Sequence, residues 1–181
     1  VRRQAAARHL GHIAQHLGDG ALIYFGYPEA REDDAERAIL ASLSLLSEIA
    51  GLDTGSDAPL RLRIGIASGT VVLNEFSASA GAAETLAIGH AVHLASRLQS
   101  LAAPDTIVID GPTKDLASGL FKIVLQAEVA VAGIDEPVAV YRVDGAEQVR
   151  SRFEARRVGV SHSLLGRAGE LNLLLNRWDT A

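Results

Sequence analysis

Between Asp33 and Gly51 the chain carries one long amphipathic helix pattern, and that pattern limits what the flanking segments can be. Ala35, Ala38, Ile39, Ser42, Leu43, Leu46 and Ile49 recur on a single stripe at helical spacing. A stripe of this kind needs a second layer to cover it. Asp33 or Asp34 can cap the N-terminus, where a carboxylate suits the helix dipole, and Gly51 ends the helix. The neighbouring segments have a different period. Upstream, HIAQHL and ALIYFG flank Gly18-Asp19-Gly20, a β-hairpin pattern closed by Pro28. Downstream, Leu60, Leu62, Ile64 and Ile66 alternate with Arg61, Arg63 and Gly65, as in a half-buried strand. Gly69 then predicts a turn into a partner strand at Val71–Leu73, giving a second hairpin.

Residues 75–84 (EFSASAGAAE) are small and polar and read as a mobile loop. Ile88–Leu101 reads as a second helix, with Ile88, Val92, Ala95, Leu98 and Ala102 on one side and His93 and Arg97 on the other. Thr106–Ile109, Phe121–Leu125 and Val138–Val143 read as strands, the last two forming a terminal hairpin. Residues 1–10 read as the end of a helix broken by Gly11. From about residue 147 the composition turns Arg-rich and polar, a linker pattern, before another element at Ser163–Trp178. Helices alternating with hairpins predict an α+β fold, ferredoxin-like, with helices packed on an antiparallel sheet.

At 181 residues there is room for one ordinary domain and an appendage. Aromatic residues are 4%, so the core must come from Ala, Val, Leu and Ile. A formal charge of -5 argues against nonspecific nucleic-acid binding through a basic surface. The absence of Cys excludes a disulfide framework, a zinc–thiolate site and a Cys nucleophile. No uninterrupted apolar run reaches the roughly 18 residues of a membrane span, and no signal-peptide pattern opens the chain. There is no Met anywhere, so the chain reads as part of a longer polypeptide.

Several residue sets could carry chemistry. A carboxylate at the tip of a glycine-flanked turn, Asp19, can project into a cleft, although Asp-Gly is also a preferred pair in an ordinary type I′ turn. His93 and Arg97, one turn apart on the polar side of a helix, suit a phosphate, a partner surface or plain solvent. Gly65 inside a strand permits close approach by a neighbour or a ligand. His12 and His16 share a strand, where that spacing separates them by about 13 Å, too far for one metal ion.

The order and spacing of GHIAQHLGDGALIYFGYPEAREDDAERA, RLRIGIASGTVV and AIGHAVHLASRLQ resemble the class III nucleotidyl cyclase catalytic domain. The resemblance covers residues 1–145 and is closest to the bacterial group in which a cyclase domain precedes an ATPase module. The segment SLLGRAGELNLLLNRW is similar to the opening of that module, with residues 146–162 as linker and 163–181 as its start. The resemblance implies formation of a 3′,5′-cyclic nucleotide and pyrophosphate from ATP or GTP, in intracellular signalling. It further implies two Mg²⁺ or Mn²⁺ ions held by two carboxylates, a homodimer with shared sites, and a cytoplasmic location without nucleic-acid or membrane partners. Asp19, between Gly18 and Gly20 of the nucleotide-binding turn, matches the second metal carboxylate. Arg97 matches the arginine that reaches the transition-state phosphate from the partner subunit.

The departures are equally specific. The strand expected to carry the first metal carboxylate, central in the family's sheet, lies upstream of Val1. Gln15 and Leu86 stand at the base-reading positions, His93 replaces the ribose-orienting Asn, and Ala132 stands where a phosphate-contacting Lys is usual. Leu86 cannot hydrogen-bond a base and Ala132 cannot neutralise a phosphate. Weak catalysis is therefore expected, with residues 1–181 alone inactive and poorly stable. The alternative is a degenerate cyclase-like domain that dimerises and regulates an attached ATPase. A third possibility is an unrelated ferredoxin-like binding module.

Overall fold

The computed structural model describes residues 6–52, 59–77, 83–117, 119–130, 137–147 and 168–178. In chain order, and among those residues, the elements are β1 (His12–Leu17), β2 (Gly20–Tyr24), α1 (Asp34–Ala50), β3 (Arg63–Ile66), β4 (Val72–Ser77), β5 (Ala83–Ile88), α2 (His90–Leu101), β6 (Thr106–Asp110), α3 (Gly111–Leu116), β7 (Phe121–Val129), β8 (Val138–Ala146) and α4 (Ala168–Trp178). This is an α+β fold. Its largest sheet has the order β3-β6-β8-β7, and β1-β2 and β4-β5 form separate two-stranded ribbons.

The first hairpin forms as its pattern predicts, with His12 opposite Tyr24 and Leu17 opposite Gly20. The predicted second hairpin does not. β3 pairs in parallel with β6, placing Gly65 opposite Val108, so the large sheet is mixed and not purely antiparallel. β4 pairs with β5 instead, from Val72 opposite Ile88 to Ser77 opposite Ala83. The segment read as a loop at 75–84 is therefore strand at both ends, and residues 78–82 lie outside the described set. Small side chains allow either state locally, and cross-strand pairing decides it.

α2 begins at His90, and Ile88 belongs to β5. Its buried stripe is Ala91, Leu94 and Leu98, continued by Ala102; Ile88 is 54% exposed. The stripe predicted from Ile88 onward is therefore rotated by part of a turn, because Ile88 ends the strand and lies outside the helix. β7 and β8 run longer than predicted, to Val129 and Ala146. The short helix α3 has no counterpart in the sequence-based prediction. Of residues 1–10, Ala6–Arg8 are helical, with Ala6 buried and Leu10 exposed.

The core has two parts, one on each face of the large sheet. Ala35 and Ile39 of α1 pack with Ile107, Ile109, Phe121 and Val143, supported by Leu43, Leu46, Ile64 and Ile66. Leu94 and Leu98 of α2 pack with Ala102, Val108 and Val140. Adjacent residues of β6 point to opposite faces, so Ile107 and Ile109 serve α1 while Val108 serves α2. The aliphatic core predicted from the low aromatic content is what forms. Asp33 occupies the N-cap of α1 but makes no capping hydrogen bond through its side chain. Asp34 instead accepts the Arg31 N–H at 2.7 Å, and both carboxylates pair with Arg37.

Candidate functional site

The hairpin β1-β2 presents the Gly18-Asp19 turn at its tip. Gly18 has φ +57, the left-handed region that glycine enters without a steric penalty, and nothing lies within 4 Å of where its Cβ would be. Asp19 is exposed beside it. Gln15, half-buried, stands opposite Leu22 just past an irregularity in β1 at Ala14. Gly20 opens β2 opposite Leu17.

β1 lies against β5, and the two ribbons are joined by a hydrogen bond in which the Tyr24 hydroxyl accepts the Ala87 N–H at 3.0 Å. Leu86, opposite Asn74, is the residue on the other side of that same peptide bond. The structure thus brings together the strands that carry Gln15 and Leu86.

α2 turns His90, His93 and Arg97 outward. All three are exposed, and their spacing of three and then four residues aligns them on one face. The opposite side is pressed onto β3. A Cβ at Gly65 would stand 2.3 Å from both the Ala95 carbonyl oxygen and the Gln99 nitrogen. Arg8, Arg31, Arg37, Arg61 and Arg142 each pair with a carboxylate. Arg97 has no such partner among the described residues.

The start of α2 is fixed by the loop after β3. A Cβ at Gly89 would lie 3.0 Å from the Thr70 carbonyl oxygen, and one at Gly69 would lie 3.2 Å from the Ala91 Cβ. Ser68 in turn is held by α3: the buried Asp110 accepts the Ser68 N–H at 3.2 Å and the Thr113 N–H at 2.9 Å. The Ser68 and Thr113 hydroxyls are 2.8 Å apart. Tyr24 and this cluster were not singled out from sequence. The Asp-Gly-Pro-Thr order of residues 110–113 is a helix-start signal that could have revealed the cluster. Tyr24 had no local signal.

Two exposed ion pairs displace carboxyl pKa values. The Arg61 hydrogen bond, with help from the Leu62 N–H, holds the Asp105 carboxyl below the usual carboxylate range. Arg142 does the same for Asp144. Among the described residues no three His, Asp or Glu side chains gather where a metal ion could sit. The described side chains therefore do not complete a divalent-cation site; a single carboxylate such as Asp19 could offer only part of the oxygen shell that Mg²⁺ requires. Ala132 lies outside the described residues. No helix among the described residues is long and apolar enough to cross a membrane.

The family model for the adenylate and guanylate cyclase catalytic domain matches residues 1–145. The chain belongs to this family. A guanylate cyclase domain from Catenaria anguillulae, solved in complex with GTP, is 25% identical with a TM-score of 0.74, over 81% of this chain and 79% of that one. The adenylyl cyclase CyaB from P. aeruginosa is 25% identical with a TM-score of 0.71, over 81% of this chain and 78% of that one. A curated protein from Rhizobium meliloti (strain 1021), R02095, named as uncharacterized, is 31% identical over 180 residues. The match takes in 98% of this chain but only 17% of that protein's length.

Proposed function

We propose that this domain is the cyclase part of a longer signalling protein and forms a 3′,5′-cyclic nucleotide and pyrophosphate from ATP or GTP between two copies arranged head to tail. The observation that supports this reading is an exposed Asp19 on the glycine-flanked turn, together with an outward Arg97 that has no carboxylate partner among the described residues. A guanidinium held outward on a rigid helix is placed for an anion supplied by another molecule.

In the reaction the ribose 3′-oxygen bonds to the α-phosphorus, the α–β bridging bond breaks, pyrophosphate departs and the 3′-hydroxyl proton passes to solvent. Arg97 offers several donors to the charge developing on the phosphoryl oxygens. His93, one turn away, can hydrogen-bond the ribose. Gln15 and Leu86 flank the base, and only Gln15 can hydrogen-bond it. Asp19 would hold a Mg²⁺ or Mn²⁺ ion together with triphosphate oxygens and a second carboxylate from outside residues 1–181. With Ala132 in place of a phosphate-contacting Lys, turnover is weak. Residues 146–162 are the linker, and 163–181 open an ATPase-like module. The exposed stripe Leu171, Leu174, Leu175 and Trp178 on α4 fits such a continuation.

Leu86 and Ala132, which bring no polar side-chain atom to base or phosphate, favour a second reading: a domain that binds nucleotide and dimerises to regulate an attached module without catalysis. Cyclic-nucleotide formation by the full-length protein from ATP and GTP with Mn²⁺ decides between the two. Product supports the enzyme. No product, with a melting temperature still raised by nucleotide, supports the regulator. No product and no shift would refute both.

A further inference from the structure

The Tyr24 hydroxyl reaches out of one ribbon and accepts a backbone N–H from another. The peptide it grips joins Leu86 to Ala87, and Ala87 is buried. A buried N–H left without an acceptor is costly, so this contact is not a casual one. The other end of Tyr24 is fixed by the β1-β2 ladder, opposite His12, on the hairpin that carries Gln15 and Asp19. The ring on β2 therefore sets how far the Gln15 strand stands from the Leu86 peptide.

We infer that Tyr24 is a positioning residue for nucleotide selection: its hydroxyl clasps β5 to the β1-β2 hairpin and so fixes the width of the slot between Gln15 and the Leu86 backbone. This deepens the cyclase reading and rests on it, because it takes those two positions to flank the base. Tyr24 touches neither base nor phosphate; it acts through the Leu86–Ala87 peptide. Selectivity between adenine and guanine would then depend on a group outside the pocket.

Tyr24→Phe in the full-length protein removes one oxygen and keeps the ring. Hydrogen exchange followed by mass spectrometry should show residues 83–88 exchanging about fivefold faster, as expected for the loss of one hydrogen bond, with β6 unchanged. The ratio of dissociation constants for fluorescent ATP and GTP analogues, with Mg²⁺, should shift by about threefold or more, where a purely structural loss would weaken both equally. Faster exchange with an unchanged ratio overturns the inference, and so does unchanged exchange. If the wild-type protein binds neither nucleotide, the cyclase and regulator readings fail together with the selection role, while the exchange rates still report whether the clasp exists. If Tyr24→Phe does not fold, the wild-type protein decides. Saturating ATP and GTP analogues should slow exchange at 83–88 to different extents, and equal slowing overturns the inference.

Discussion

Asp110 reaches across from the end of β6 to accept the Ser68 N–H, and it caps α3 with its other oxygen. One buried carboxylate thus ties the loop after β3 to the start of α3, and that loop is wedged against the start of α2. Asp110→Ala should cost about 3 kcal/mol, combining a lost cap with an unsatisfied buried N–H. Urea denaturation of the full-length protein, followed through this domain, measures the loss. A change below about 1 kcal/mol would show that water replaces the carboxylate without penalty.

Gly65 tests the closest packing in the fold. Alanine there drives a methyl into the backbone of Ala95 and Gln99, which cannot rotate away as a flexible side chain would. Gly65→Ala should destabilise by about 3 kcal/mol or prevent folding. A thermal melt compared with wild type gives the answer.

The Arg61–Asp105 pair sets a pH dependence. The folded state lowers the Asp105 pKa, chiefly through the Arg61 hydrogen bond. A lowered folded pKa means the pair's contribution is fully present above the unfolded value, about pH 4, and fades as the pH falls through the folded value. NMR titration of the Asp105 carboxyl carbon should give a midpoint below that of an unstructured aspartate, and Arg61→Ala should move it back up.

Asp19→Asn and Arg97→Ala separate function from folding. Both side chains are exposed, so stability should change by less than about 0.5 kcal/mol. Cyclase turnover by the full-length protein should fall about a hundredfold in each variant. Equal turnover in wild type and Arg97→Ala would remove the guanidinium from the reaction.

His93→Asn is expected to work in the opposite direction. An amide in place of the imidazole should orient the ribose better and raise turnover about tenfold, equivalent to about 1.4 kcal/mol of transition-state stabilisation. A steady-state assay of cyclic product checks it.

Elements whose pattern is local were legible in the sequence. The Gly18-Asp19-Gly20 hairpin needs only its own turn chemistry, and the Asp34–Ala50 helix needs only its stripe. Pairing between distant strands was not legible. Alternation through Leu60–Ile66 predicts a strand but says nothing of its partner, and the parallel partner β6 lies about forty residues on. Ile88 was misplaced because an apolar residue at a strand–helix junction fits both periods. Among the candidate residues, Asp19, His93 and Arg97 are the ones that residue type and spacing single out. Tyr24 and Asp110 act across the fold through contacts that no window of sequence contains.

Backbone-to-backbone contact at Gly65 has a mechanical meaning. With no side chain between them to compress or swivel, α2 cannot slide along β3; helix and strand travel as a single rod. Under the head-to-tail pairing proposed above, a stimulus that moved the two copies would swing His93 and Arg97 together with the large sheet, so the arginine would report whole-domain orientation.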